Sequence, residues 1–85
     1  MLKTIEEIEN WLKLYNIENY TILEDLSVDV DGNVDLSNKK LTHIPIQFNT
    51  VWGYFDCSSN YLTTLQGAPR EVGGSFWCSY NSLTT

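Results

Sequence analysis

The sequence predicts a short α/β solenoid of parallel strands, about 2.5 coils long, with a helix and a β-hairpin capping its N-terminal end. Three observations carry that prediction. First, the chain repeats itself every 21 residues: VWGYFDCSSNYLTT (51–64) returns as VGGSFWCSYNSLTT (72–85), with nine of fourteen positions identical. A fainter copy lies one period upstream, with Gly32, Val34, Leu36, Ser37, Leu41, Thr42 and Ile44 in register with Gly53, Phe55, Cys57, Ser58, Leu62, Thr63 and Leu65. Second, the apolar positions that open each copy alternate with polar ones, as in a half-buried strand. Third, the chain begins with a segment that is apolar on one helical face only.

The elements follow in order. Residues 4–16 read as a helix. Thr4 is a good N-cap, and Glu7 three residues on completes a capping box. Ile5, Ile8, Trp11, Leu12 and Tyr15 share one face, and Glu6, Glu9 and Lys13 lie on the other. Tyr20, Thr21 and Ile22 are β-formers. Leu26, Val28 and Val30 then alternate with Ser27, Asp29 and Asp31, and Asp31-Gly32 is a turn signal before Val34 and Leu36. The expectation is a hairpin over 26–36 whose second arm is also the first solenoid strand. Residues 1–33 would form the cap, and 34–85 the solenoid, in a single folding unit. Each copy places two inward strand residues, then a turn residue (Lys39, Asn60, Asn81), then a Leu-x-x-Leu return across the core. An Asn there can bond backbone groups where the chain leaves the strand. Pro45 and Gly67-Ala68-Pro69 mark the return side, and Gly53 and Gly73-Gly74 mark the approach to the next strand. Twenty-one residues leave room for a strand and an extended return, not for a strand and a full helix.

F55-D-C-S-S-N60-Y-L62-T-T-L65 and F76-W-C-S-Y-N81-S-L83 carry the pattern L-x-L-x-x-N-x-L-x-x-L. The chain thus resembles leucine-rich repeats. More narrowly, NVDLSNKKLTHIP, FDCSSNYLTTLQGAPREVGG and FWCSYNSLTT resemble a CSxNxLTxLxGAPxxVGG repeat of bacteriophage and some bacterial proteins. The likeness covers roughly residues 26–85. It implies a short, right-handed, leucine-rich-repeat-like solenoid and a binding protein, and supplies no catalytic residues. The chain departs from the pattern in holding only two to three copies. Its third copy also stops at Thr85, before a Leu, Gly-Ala-Pro and Val-Gly-Gly. The expectation is an uncapped last coil, covered by a partner or by a second copy.

Charge is unevenly spread. Of the net −6, residues 1–35 hold nine acids against two lysines, −7, and residues 36–85 hold two acids against three bases, +1. An acidic chain without a basic cluster is a poor nucleic-acid or anionic-membrane binder, since phosphate contacts dominate that affinity. No apolar run approaches the ~20 residues of a membrane span, and the first residues are unlike a signal peptide. The predicted compartment is the cytoplasm, the host's if the chain is phage-encoded.

Sheet-face residues are the candidate contact surface: Asp35, Tyr54, Asp56, Trp77 and Ser79, with Tyr80 at the following turn. Trp and Tyr dominate interface hot spots, although Tyr54 and Trp77 could instead pack across strands on each other. Trp52 either plugs the cap junction or joins an interface. Phe76, Cys78 and Leu83 of the last coil are the candidate self-association surface. Cys57 and Cys78 take the same inward place in successive copies, about one strand spacing (~4.8 Å) apart, and read as buried free thiols. No metal site is expected: the only His, His43, lies in a return segment. The Asp29, Asp31, Gly32, Asn33, Asp35 run lacks the sixth-position Gly and twelfth-position Glu of a calcium loop, with Val34 and Lys40 there instead. Ser58 and Ser79 recur as repeat positions, and no acid orients His43, so hydrolase chemistry is not expected.

The predicted function is a non-enzymatic protein-binding module without cofactors: a small phage protein that binds, and by extension inhibits, a host protein. The alternative is a structural subunit that self-associates through its last coil, as a homodimer. A small solenoid with a bare end is also predicted to be marginal as a monomer and rescued by association.

Overall fold

The computed structural model describes residues 1–84. Helix α1 (Ile5–Leu14) starts where Thr4 accepts a hydrogen bond from the Glu7 amide at 3.1 Å. Glu7 reaches back to the Thr4 hydroxyl at 3.1 Å and to the Lys3 amide at 3.4 Å. The helix stops at Tyr15, and Asn16 follows in the left-handed region at φ 57°. Ile8 and Leu12 are its buried residues; Ile5, placed on the apolar face by its spacing, is exposed.

The strands fall into two sheets. One is mixed, in the order β1-β2-β4-β6: β1 (Tyr20–Ile22), β2 (Ser27–Val30), β4 (Gln47–Val51) and β6 (Glu71–Val72). The other is parallel, in the order β3-β5-β7: β3 (Val34–Asp35), β5 (Phe55–Asp56) and β7 (Phe76–Trp77). The 21-residue period appears as register, with Val34 beside Phe55 and Phe55 beside Phe76 in one sheet, and Thr50 beside Glu71 in the other.

This corrects the expected fold class. The chain is a small α/β fold with one helix and two sheets, one mixed and one parallel, and not a short leucine-rich-repeat-like solenoid. The segments expected as extended returns are themselves strands. Gln47–Val51 pairs with Ser27–Val30 on one side and Glu71–Val72 on the other, and β1 closes that sheet with an antiparallel pair outside the repeat.

The expected hairpin over 26–36 is also corrected. The antiparallel partner of β2 is β1, with Tyr20 opposite Val30, while Val34 lies in the second sheet. Asp31-Gly32 is a corner between sheets. Its backbone is taken up by the next copy: Trp52 donates to the Val30 carbonyl at 3.0 Å, Gly53 to Gly32 at 2.9 Å, and Tyr54 to Asn33 Oδ1 at 2.9 Å. With those groups committed, the chain cannot turn back along β2. Gly53 is needed because a Cβ would collide with the Asn33 amide oxygen and sit 2.8 Å from the Gly32 oxygen. Gly67, at φ 93°, rounds the opposite corner, where an added Cβ would sit 2.5 Å from the Ile46 oxygen and 2.8 Å from the Ile44 oxygen, and its carbonyl accepts from the Phe48 amide at 3.0 Å.

A single core joins helix and sheets. Ile8 and Leu12 pack with Val28, Val30, Val34, Leu36, Phe48, Phe55 and Leu62. Trp11 meets Phe48 edge-on at 6.3 Å, and Phe48, Phe55 and Phe76 continue at 5.2 and 5.5 Å. Asn60 ties two copies together: Oδ1 accepts from Lys39 and Leu41 at 3.0 and 2.9 Å, and Nδ2 donates to Leu36, Cys57 and Ser58. Asn81 repeats the pattern with Leu62, Cys57, Cys78 and Ser79.

Candidate functional site

The outer face of the parallel sheet is built by alternation. Val34, Phe55 and Phe76 point to the core side, so their neighbours Asp35, Asp56 and Trp77 stand side by side on the other face. Asp35 and Asp56 have local work there. Asp35 Oδ1 accepts from the Ser37 amide and hydroxyl at 3.0 and 2.6 Å, and Asp56 does the same with Ser58 at 2.9 and 2.6 Å. Asp25 and Ser27 form a third such turn in the mixed sheet. The Ser37 hydroxyl, then its amide, hold the Asp35 carboxyl below the usual carboxylate range, against a smaller opposing push from burial.

In the third copy Trp77 takes the aspartate's place, so Ser79 has no acid two residues before it. Trp77 is 47% exposed, and its ring lies 5.4 Å from that of half-buried Tyr54, tilted by 45°. The structure thus brings Asp35, Asp56, Tyr54 and Trp77 onto one surface. The two aromatics pack on each other across the strands, and Trp77 still faces solvent. Ser79 is exposed, and its carbonyl accepts from Ser59 at 2.9 Å. Tyr80 is 84% exposed at φ 56°, in the left-handed position that Asn38 and Ser59 hold in the earlier copies. That backbone suits Asn and is uncommon for a bulky residue.

The candidate self-association residues lie along the other side of β7. Phe76 is 38% exposed where its equivalents Val34 and Phe55 are fully buried, and Cys78 and Leu83 are half-buried. Cys57 is fully buried, and burial first, then Cys78 and Asp56, pushes its thiol up to about 11. Both cysteines are free. Trp52, which could have plugged the cap junction, is 65% exposed.

Among the described residues, no three His, Cys, Asp or Glu side chains gather where they could hold one metal ion. Two carboxylates of the calcium-loop-like run are used by the fold: Asp35 bonds Ser37, and Asp29 Oδ1 accepts from Asn49 and from the Thr50 amide at 2.8 and 3.1 Å, while Asp31 is exposed. No helix among them is long and apolar enough to cross a membrane.

Sequence reasoning missed one feature. A cleft of about 310 Å³ lies between α1 and the 39–45 loop, with Trp11 and Tyr15 on one side and Lys39, Lys40 and His43 on the other. Its available signal was the clustering of Lys39, Lys40 and His43, three of the chain's six Lys, Arg and His residues within five positions.

No family model matches the chain, and neither a curated protein nor a solved structure is found to match it.

Proposed function

We propose that the chain is a non-enzymatic protein-binding module that reads its partner with the Tyr54–Trp77 surface. One observation carries this. Trp77 stands where the two earlier copies need an aspartate to close the turn with a serine, so the substitution gives up a local hydrogen-bonded turn for an exposed indole. Aromatic residues set among small polar ones are the usual anchors of protein interfaces. The likeness of the repeat phrases to phage and bacterial repeat proteins supports a host protein as the partner and a cytoplasmic setting.

The test is a photo-crosslinking residue placed at exposed Ser75, two residues before Trp77, in the intact chain with Trp77 retained. A cross-linked species competed away by wild-type protein, but not by Trp77→Ala protein, is the expected result. Equal competition by both proteins sinks the proposal.

A second reading is favoured by the exposure of Phe76: a homodimer formed along β7. A mass that doubles with concentration in light scattering, and reverts in Phe76→Glu, supports it. A monomer throughout leaves the first reading alone.

A further inference from the structure

We propose that the cleft between α1 and the 39–45 loop binds a small aromatic anion of mononucleotide size. The cleft shares no lining residue with the Tyr54–Trp77 surface, so this proposal stands apart from the protein-binding one.

Its walls supply two kinds of recognition. Trp11 on α1 and Tyr15 at its C-cap, four residues apart, hold their rings 4.8 Å apart with an interplanar angle of 53°. They offer aromatic surface to a planar ring, the kind of contact by which nucleic-acid-binding proteins hold bases. Opposite them stand Lys39, Lys40 and His43. The chain has five Lys and Arg and one His at a net charge of −6, so two of the five and the only His line this one cleft. Among the described residues the one ion pair is Arg70 with Asp25, which leaves both ammonium groups without a carboxylate inside 4.0 Å. Asp35 lies near enough for its carboxylate to feel the charge of Lys39, with Oδ1 bonded to Ser37, but it forms no ion pair with it inside 4.0 Å. His43 Nδ1 lies 3.2 Å from the Thr42 hydroxyl, leaving Nε2 for a ligand.

The backbone adds an independent mark. Left-handed φ at Asn38 belongs to the repeat, since Ser59 and Tyr80 share it. Lys40 also has φ 60°, and its equivalents Tyr61 and Ser82 do not. A lysine held in that region costs energy that the repeat does not require, and such outliers concentrate at binding sites.

The ligand class follows. Lysines bind phosphate as point charges, the paired rings select a planar group, and 310 Å³ is at the small end of ligand pockets. The net charge of −6 opposes any anion, so binding should be modest, and salt should weaken the local attraction of the two lysines while relieving that longer-range repulsion.

The test is a titration of the intact ¹⁵N-labelled chain with AMP, phenyl phosphate and inorganic phosphate. AMP and phenyl phosphate are expected to give saturable shifts at the Trp11 indole and at amides 39–43, with inorganic phosphate at least about tenfold weaker. The Lys39→Gln/Lys40→Asn double variant, whose Asn suits the left-handed backbone, should weaken both ligands by at least about tenfold. If that variant loses its spectral dispersion, Lys39→Gln and His43→Gln replace it, each expected about threefold weaker. Three results overturn the proposal: no saturable shift up to about 10 mM, inorganic phosphate binding as well as the aryl anions, or folded variants that bind like wild type.

Discussion

The middle and last copies are nearly the same words in different surroundings. Phe55 and Phe76 are equivalent, yet Phe55 is fully buried and Phe76 is 38% exposed. Cys57 and Leu62 are fully buried, while Cys78 and Leu83 are only half-buried. Asn60 is 5% exposed, and Asn81 is half-exposed while making nearly the same bonds. The difference lies in what covers each copy. The middle copy has β3 on one side and β7 on the other, whereas the last has a described neighbour on one side only. In a repeated fold an apolar residue's contribution is therefore a property of its position in the stack, not of its motif.

The largest test of that comparison is truncation of the paired phenylalanines. Phe55→Ala removes a ring packed on both Phe48 and Phe76 and should cost about 3–5 kcal/mol in urea unfolding. Phe76→Ala should cost less, about 2 kcal/mol, because the residue is 38% exposed and has a neighbouring ring on one side only. Equal losses would mean that Phe76 is covered in solution, as a dimer along β7 would cover it.

The asparagines give the next largest contrast. Asn60→Ala leaves the Lys39 and Leu41 amides and the Leu36 carbonyl without their bonds at a buried site, for a loss of about 2–4 kcal/mol. Asn81→Ala should lose about 1–2 kcal/mol, since water reaches the groups it would abandon. A larger loss at Asn81 than at Asn60 would break the comparison outright.

Cysteine ionisation sharpens it through pH. Burial keeps the Cys57 thiol neutral, with a folded value of about 11 against an ordinary 9.0. Because the folded value is the higher one, the stabilisation is complete below pH 9 and is lost as pH rises through 11. The full effect is about 2–3 kcal/mol. Unfolding curves across that window should slope downward in the wild type and flatten in Cys57→Ala. An unchanged slope would mean that Cys57 is not the titrating group.

What was legible in the sequence was whatever rests on short-range pattern. The Thr4–Glu7 cap, the amphipathic helix and the turn-bridging role of the asparagines needed only local spacing. The 21-residue register was legible because identical residues stack on identical residues. The repeat's two strands in the mixed sheet were not. Gln47–Val51 alternates only weakly, and Glu71-Val72 is too short to show a period, so their pairing depends on backbone brought together from a copy away. The corner at Asp31-Gly32 failed for a related reason. Asp-Gly favours a hairpin locally, but donors from the next copy, Trp52, Gly53 and Tyr54, hold it open as a crossing between sheets. On the candidate surface, Asp35 and Asp56 looked free because a sequence shows no partner, although the serines two residues later were in view.

The smallest stability change is expected at the residue with the largest functional claim. Trp77→Ala removes only a partly exposed ring and its tilted contact with Tyr54, worth about 0.5–1.5 kcal/mol. Trp77→Asp restores the residue of the earlier copies and could recover part of that loss, by giving Ser79 the acceptor that Ser37 and Ser58 already have. Both variants should unfold within about 1.5 kcal/mol of wild type while losing the cross-linking competition expected of the Tyr54–Trp77 surface. If Trp77→Asp instead kept full competition, the indole would not be the anchor and the proposed binding surface would fall. If either variant unfolded the chain, Trp77 would be a core residue of the last copy, and the contrast between a buried middle and an open last copy would fail with it.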